Sequence, residues 1–289
     1  MSAHKLRLNV VRTEHACKER NRLVNRIHPT AIIADGATLA DDIEVGPYVI
    51  IEDHVSIGSG TSIMAHAVVR GYTTIGEHNQ IHMGAIIGHD PQDVAFDPAV
   101  ESYVRIGSKN IIRENCTIHR GTKSGSETRI GDNNFIMVGA HMAHNVQIGN
   151  RVVVANNALL AGYAKVADRV FMSGGVAVHQ FCSIGSLAML SGQSGFSQNV
   201  PPFVIALERN AVKGLNLIGM RRAGVSPEAV REIKEAYSLL YRQGLLRTEA
   251  IARMQACDFA SEEAREFLSF VVNTDRPLVQ VRSKNTLDE

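Results

Sequence analysis

Long apolar runs, paired cysteines and a net charge of one sign are all missing from this 289-residue chain. Without a run of about 18 apolar residues, nothing in it is built to span a bilayer. Its four cysteines, Cys17, Cys116, Cys182 and Cys257, are scattered with no CxxC pair and no disulfide-like spacing, which fits a reducing compartment. A formal net charge of +1 supplies no whole-molecule field for nucleic acid or an anionic membrane. The first 26 residues are locally basic, with Lys5, Arg7, Arg12, Lys18, Arg20, Arg22 and Arg26 against Glu14 and Glu19. A secretory signal would need an apolar stretch after that basic start, and none follows. Residues 1–26 therefore read as a basic N-terminal extension of a cytoplasmic protein, and the two glutamates count against an organellar presequence.

What is present is a period of six. Ile27, Ile33, Leu39, Val45, Ile51, Ile57, Ile63, Val69, Ile75, Ile81 and Ile87 share one register. It resumes at Ile106, Ile112 and Ile118, and again from Ile130 through Ile136, Met142, Ile148, Val154, Leu160, Val166, Met172, Val178, Ile184 and Leu190. Neither a helix of 3.6 residues per turn nor an alternating strand keeps such a period on one face. A triangular coil does: three hexapeptides make a turn, each aliphatic residue points inward, and glycine or asparagine eases the corner. Glycine follows the aliphatic residue at positions such as Gly46, Gly58, Gly76, Gly131 and Gly149, and asparagine recurs at 110, 133, 134, 150, 156 and 157. The expected fold is mainly β: a left-handed parallel β-helix of hexapeptide repeats over 27–205, with a small C-terminal α-helical domain over 206–289. Repetition specifies a core and not a chemistry, so function is sought where the pattern breaks. Loops at 88–105 and 119–129 break it. After Pro201-Pro202 the hexad stops, and Ser226-Pro227 opens a helix whose Val230, Ile233, Tyr237 and Leu240 share a face, with Gly244 at its end. Further helices are expected near 248–257 and 261–272.

Histidine is the natural general base, its ordinary pKa lying near neutrality. His119, His141, His144 and His179 recur at roughly one-turn multiples and so gather on one side of the coil. His141 and His144 also sit just past both loops, whereas His28, His54, His66, His78 and His82 read as water-facing. Clustered histidines also suit zinc, but a pair at three-residue spacing with no evident third ligand weighs against a metal. Asp90, Gln92, Asp93 and Asp97 of the first loop either bind sugar hydroxyls or simply keep a loop solvated. Arg221-Arg222 either binds phosphate or is an ordinary surface pair.

Eight segments together resemble the UDP-N-acetylglucosamine O-acyltransferase family: IHPTA (27–31), PQDVAF (91–96), IRENCTIHRGT (112–122), AHMAHN (140–145), NNALLAG (156–162), AVHQFC (177–182), SQNVPPFVIA (197–206) and GLNLIGMRRAG (214–224). The likeness runs from about residue 27 to about residue 245, and the ordered HRGT, AHxAH and VHQFC segments separate this branch from hexapeptide acetyltransferases at large. The resemblance implies a homotrimer with active sites between subunits. It implies transfer of a 3-hydroxyacyl chain from the phosphopantetheine thioester of acyl carrier protein to the 3-position of UDP-N-acetylglucosamine, the first step of lipid A biosynthesis. No metal, other cofactor, nucleic acid or integral membrane contact is implied. In this picture His144 matches the general base and Gly162 the backbone N–H that holds the oxyanion. Gln92, Asp93, His141, His179 and Gln180 match substrate contacts. Asn216 and Arg222 match residues that touch phosphopantetheine and nucleotide, and Gly192 the position that sets acyl length.

Four positions depart from the family pattern. Asn145 stands where an aspartate follows the base, Tyr163 where a histidine follows Gly162, Ala95 where a lysine follows Asp93 by two, and Ile218 where an acidic residue follows Asn216 by two. These departures keep open an acyltransferase for another nucleotide sugar, such as one with a 3-amino group. They also keep open a non-catalytic protein that binds acyl carrier and nucleotide sugar.

Overall fold

The computed structural model describes residues 24–281, so most of the basic extension lies outside the described residues. Strands of mostly two residues recur along the coil, each pairing in parallel with the strands one turn before and after. Ile27, Val45 and Ile63 thus lie over one another. The result is a left-handed parallel β-helix with three faces. The first face starts with Arg26–Ile27, the second with Ile32–Ile33 and the third with Thr38–Leu39.

From Val45 onward the hexad residues fill the prism as expected, while Ile27 at the open end is exposed, and the repeats have a second inward position two residues earlier. Val49, Val55, Ala67, Ala85, Cys116, Ala140, Val152, Ala158, Ala164 and Cys182 occupy it and are all buried.

The corners differ from the expectation. The glycine after the aliphatic residue does not adopt positive φ, Gly88 excepted; the left-handed position falls three residues after the aliphatic, at His54, His66, Asn115, Asn133, Asn145, Asn157, Tyr163 and Phe181 among others. Glycine follows the aliphatic for a different reason: a Cβ on Gly58 would lie 2.7 Å from the Gly76 carbonyl carbon, and one on Gly131 2.6 Å from the Gly149 oxygen. Successive turns touch there. Asn110 and Asn134 are not corners either. With Asn79 they form a buried ladder in which each side-chain oxygen accepts a backbone N–H from the next turn, ending on Val152. His54 and His66 do face out, but each stacks on a tyrosine one turn away, His54 on Tyr72 and His66 on Tyr48.

Both loops are narrower than expected because their flanks join strands. The first leaves the strand Ile86–His89 and returns at Tyr103–Ile106; the second lies between Thr117–His119 and Glu127–Ile130. At the other end, strand structure runs past residue 206. Val204–Leu207 and Ala211–Leu215 form an antiparallel hairpin that extends the first face. Helices begin only at α1 (Leu217–Ala223), which the sequence had not suggested, followed by α2 (Pro227–Tyr241), α3 (Arg247–Ala256) and α4 (Glu262–Asn273). Ser226 caps α2 as its position suggests, and the helix stops at Tyr241, ahead of Gly244. Glu232 on α2 accepts from the Ser261 N–H and hydroxyl, fixing the start of α4. Gln280–Val281 then returns to pair with the hairpin, stapling the helical lobe to the coil. Among the described residues no helix is long and apolar enough to cross a membrane.

Candidate active site

Three consecutive turns build one corner column between the second and third faces. His144, Gly162 and Gln180 occupy equivalent corner positions, with Asn145, Tyr163 and Phe181 beside them in the left-handed conformation. The His144 ring lies directly on Gly162: a Cβ there would meet Cε1 at 2.3 Å and Nε2 at 2.6 Å. Only glycine leaves room for the imidazole at this height.

Around His144, Nδ1 is 3.1 Å from Asn145 Oδ1, and the Tyr163 ring meets the imidazole edge-on at 5.3 Å. Tyr163 stacks in turn on Phe181 at 5.0 Å. Nε2 makes no hydrogen bond among the described residues. The tight corner also leaves the Gly162 N–H without a backbone acceptor, since its neighbours Ala161 and Tyr163 take Val178 and His144. Such a free N–H recurs at the corners; at Gly162 it borders a cleft.

That cleft, 710 Å³, lies against the second face. Gln92, His141, His144, Gly162 and His179 line it, with Leu159, Phe196, Ser197 and Arg209. Sequence reasoning had singled out neither Ser197 nor Arg209, because nothing in the hexad marks the end of the coil as folding back over the site. His141 Nδ1 shares a hydrogen bond of 2.7 Å with Thr117 Oγ1, and burial lowers the pKa of the ring. His119 packs edge-on against His141 at 5.0 Å but is enclosed rather than cleft-lining. Burial first, then the neighbouring imidazoles, lowers its pKa to about 4, so it stays neutral near pH 7.

The first loop is held down by Arg120, a buried cation. It pairs with Asp90 at 2.9 Å, donates to the Val100 and Pro98 carbonyls at 2.6 and 3.0 Å, and lies over the Phe96 ring. Asp90 is therefore a loop anchor. The Asp93 and Asp97 carboxylates accept the N–H groups of Ala95 and Ala99, each closing a local turn. Asp93 and Gln180 are exposed and do not line the cleft of the single chain; Gln92 does.

Asn216, Ile218 and Arg222 lie elsewhere. They line a 1010 Å³ cavity against the first face, with Phe171, Met189 and two further arginines, Arg151 and Arg169. Asn216 caps α1, accepting from the Gly219 N–H at 2.9 Å and donating to the Leu187 carbonyl at 2.8 Å. Gly192 sits at the corner between the first-face strand Met189–Leu190 and the second-face strand Gly195–Phe196. One chain thus carries two separate cavities on adjacent faces. Among the described residues no three His, Cys, Asp or Glu side chains are arranged to hold a metal ion.

Two family models match the chain: UDP N-acetylglucosamine O-acyltransferase, domain 2, over residues 199–279, and the bacterial transferase hexapeptide over 127–162. An acyl-[acyl-carrier-protein]–UDP-N-acetylglucosamine O-acyltransferase of Thiobacillus denitrificans is 43% identical over 256 residues, covering 88% of this chain and 99% of the relative. The enzyme of that name from Campylobacter jejuni is 42% identical, covering 91% and 99%. Among solved structures, the UDP-N-acetylglucosamine acyltransferase of Francisella novicida superposes with a TM-score of 0.85 at 34% identity, over 90% of this chain and 95% of that one. That of Bacteroides fragilis gives 0.84 at 39% identity, over 88% and 100%. With identity of this order over nearly the whole coil and helical lobe, the chain belongs to the UDP-N-acetylglucosamine O-acyltransferase family.

Proposed function

We propose that this protein transfers a 3-hydroxyacyl chain from acyl carrier protein to the 3-hydroxyl of UDP-N-acetylglucosamine, the first step of lipid A synthesis, working in the cytoplasm as a trimer. The observation that carries the reading is the His144–Gly162 contact. It places a ring nitrogen free of other hydrogen bonds and a free backbone N–H side by side on one cleft wall. Nε2 takes the proton of the sugar hydroxyl as its oxygen attacks the thioester carbonyl carbon. The Gly162 N–H meets the oxyanion as it develops. The carbon–sulfur bond then breaks, and the proton on His144 returns to the departing phosphopantetheine thiolate. No metal or other cofactor is needed for this sequence.

Support for the trimer comes from which residues face out. Along the second face the outward register is Ile32, Ile50, Val68, Ile86, Thr117, His141, Leu159 and Ala177. On the third it is Thr38, Ser56, Thr74, Arg105, Arg129, Gln147, Lys165 and Ser183. An apolar face beside a polar one fits three coils packed around an axis. That packing would bring the second-face cleft of one subunit against the first-face cavity of the next, uniting His144 with Asn216 and Arg222. The acidity of acyl carrier protein suits the arginines of that cavity.

The test is mass spectrometry of products from UDP-N-acetylglucosamine and 3-hydroxyacyl carrier proteins of several chain lengths, with His144→Ala in parallel. An O-acylated sugar that disappears in the variant is expected. Product with a 3-amino acceptor alone would replace the acceptor, and tight carrier binding without turnover of any acceptor would make the protein a binding paralogue.

A further inference from the structure

Near His144 a chain of hydrogen bonds leads away from the cleft, and its direction can be worked out. Asn145 is buried, and its side-chain oxygen lies 3.1 Å from the Thr122 backbone N–H. A backbone N–H can only donate, so the atom facing it is the amide oxygen and not the nitrogen. Thr122 Oγ1 gives its proton to the same oxygen at 3.0 Å. With its proton committed there, Thr122 Oγ1 can only accept from the Tyr163 hydroxyl, 2.9 Å away. His144 Nδ1 stands 3.1 Å from the oxygen that collects these donors. Because that oxygen carries no hydrogen, Nδ1 must hold the proton, which leaves Nε2 with its lone pair.

We propose that Asn145 and Thr122 are positioning residues that lock His144 in the Nδ1–H tautomer, with Tyr163 ordering Thr122 from behind. The inference rests on the acyltransferase reading for its consequence in catalysis, though not for its geometry. A histidine side chain free in water prefers the opposite tautomer, with the proton on Nε2, which cannot act as a base toward the cleft. The backbone makes the lock possible. Asn145 is held at φ 60°, its N–H donating to Thr128 Oγ1 at 2.7 Å, and this folds the amide back onto the neighbouring imidazole. Asparagine tolerates that left-handed conformation better than other side chains do. The amide orients the ring without offering a charge to an imidazolium, which separates its effect from that of a carboxylate at the same place.

The test uses full-length protein labelled with nitrogen-15 in histidine, with the His144 signals assigned by their loss in His144→Gln. The expected spectrum has His144 with Nδ1 protonated and Nε2 bare. Asn145→Gly keeps the positive φ while deleting the amide. It is expected to shift His144 toward the Nε2–H form and to lower kcat by on the order of 10- to 100-fold at nearly unchanged KM. Asn145→Asp is expected to restore the tautomer and to move the acidic limb of the kcat/KM profile upward by about one pH unit, since a neighbouring anion favours the protonated ring. A merely structural asparagine would give neither the tautomer change nor the moved limb. Nε2–H in the unmodified protein, or a tautomer indifferent to Asn145→Gly, overturns the lock and leaves acyl transfer standing. The Nδ1–H form with no turnover of any acyl donor overturns acyl transfer and leaves the lock standing.

Discussion

At the scale of single residues, Gly162 is the position where space decides most. Its missing Cβ is where the His144 ring sits: the three atoms nearest to that point all belong to the imidazole. Gly162→Ala should therefore push the imidazole aside without disturbing the coil. The atoms displaced belong to a side chain that borders the cleft and not to backbone, and the Gly162 φ is not in the left-handed region. The expected outcome is a loss of about 100-fold in kcat, the scale of a base misplaced by an ångström, with a melting temperature close to that of the unmodified protein. A large fall in melting temperature instead would mean that the glycine serves the stacking of turns, as Gly58 and Gly131 do. The sequence pointed to His144 and Gly162 only through the likeness of the AHMAHN and NNALLAG segments to the family, and the structure adds that the two residues touch. Thr122 was not legible as a partner of the base. Its bond to Asn145 spans the second loop and one turn of the coil, so no local spacing announces it.

At the scale of elements, the hexad register places the coil strands and their inward aliphatics correctly because one period governs both. It could not show the second inward position, which alanine, valine, cysteine, threonine and asparagine share without a common type. Nor could it show α1, a single short segment between the hairpin and Gly224, too brief for a helical period to appear. Arg120 stayed unmarked for a related reason: the sequence shows a charged residue, and only the folded loop shows that its partners are carbonyls of 98 and 100 and the Asp90 carboxylate. A buried arginine with so many acceptors makes the first loop an attachment of the coil and not a free excursion. Arg120→Met keeps the bulk against Phe96 but leaves Asp90 and both carbonyls without their donor. The expected cost is roughly 1–3 kcal/mol, below that of a fully buried pair because Asp90 retains some contact with water. Limited proteolysis should show faster cleavage within 90–102, and KM for the nucleotide sugar should rise because Gln92 travels with the loop. Unchanged cleavage would mean that the loop is held by its own Asx turns at Asp93 and Asp97.

At the scale of the whole molecule, the proposed trimer would unite two cavities that face different directions in the lone chain. The cleft with His144 and the cavity with Asn216 and Arg222 lie against adjacent faces, joined at the corner that holds Gly192. Under that proposal assembly is a condition of activity, and it can be attacked far from either cavity. Ile50 lies near the N-terminal end of the second face, exposed in the single chain and paired in register with Ile32 and Val68. Ser56 occupies the outward position of the neighbouring third face, between Thr38 and Thr74. Placing a carboxylate at the first site inserts an unpaired charge into an apolar contact, whereas at the second it enters water. Ile50→Glu should yield smaller species in analytical ultracentrifugation, with acyl transfer lost in proportion to the trimer lost, while Ser56→Glu keeps both. A trimer that survives Ile50→Glu but falls apart with Ser56→Glu would turn the assembly around, with the third face inward. The two cavities would then have to be completed by something other than a second copy of this chain.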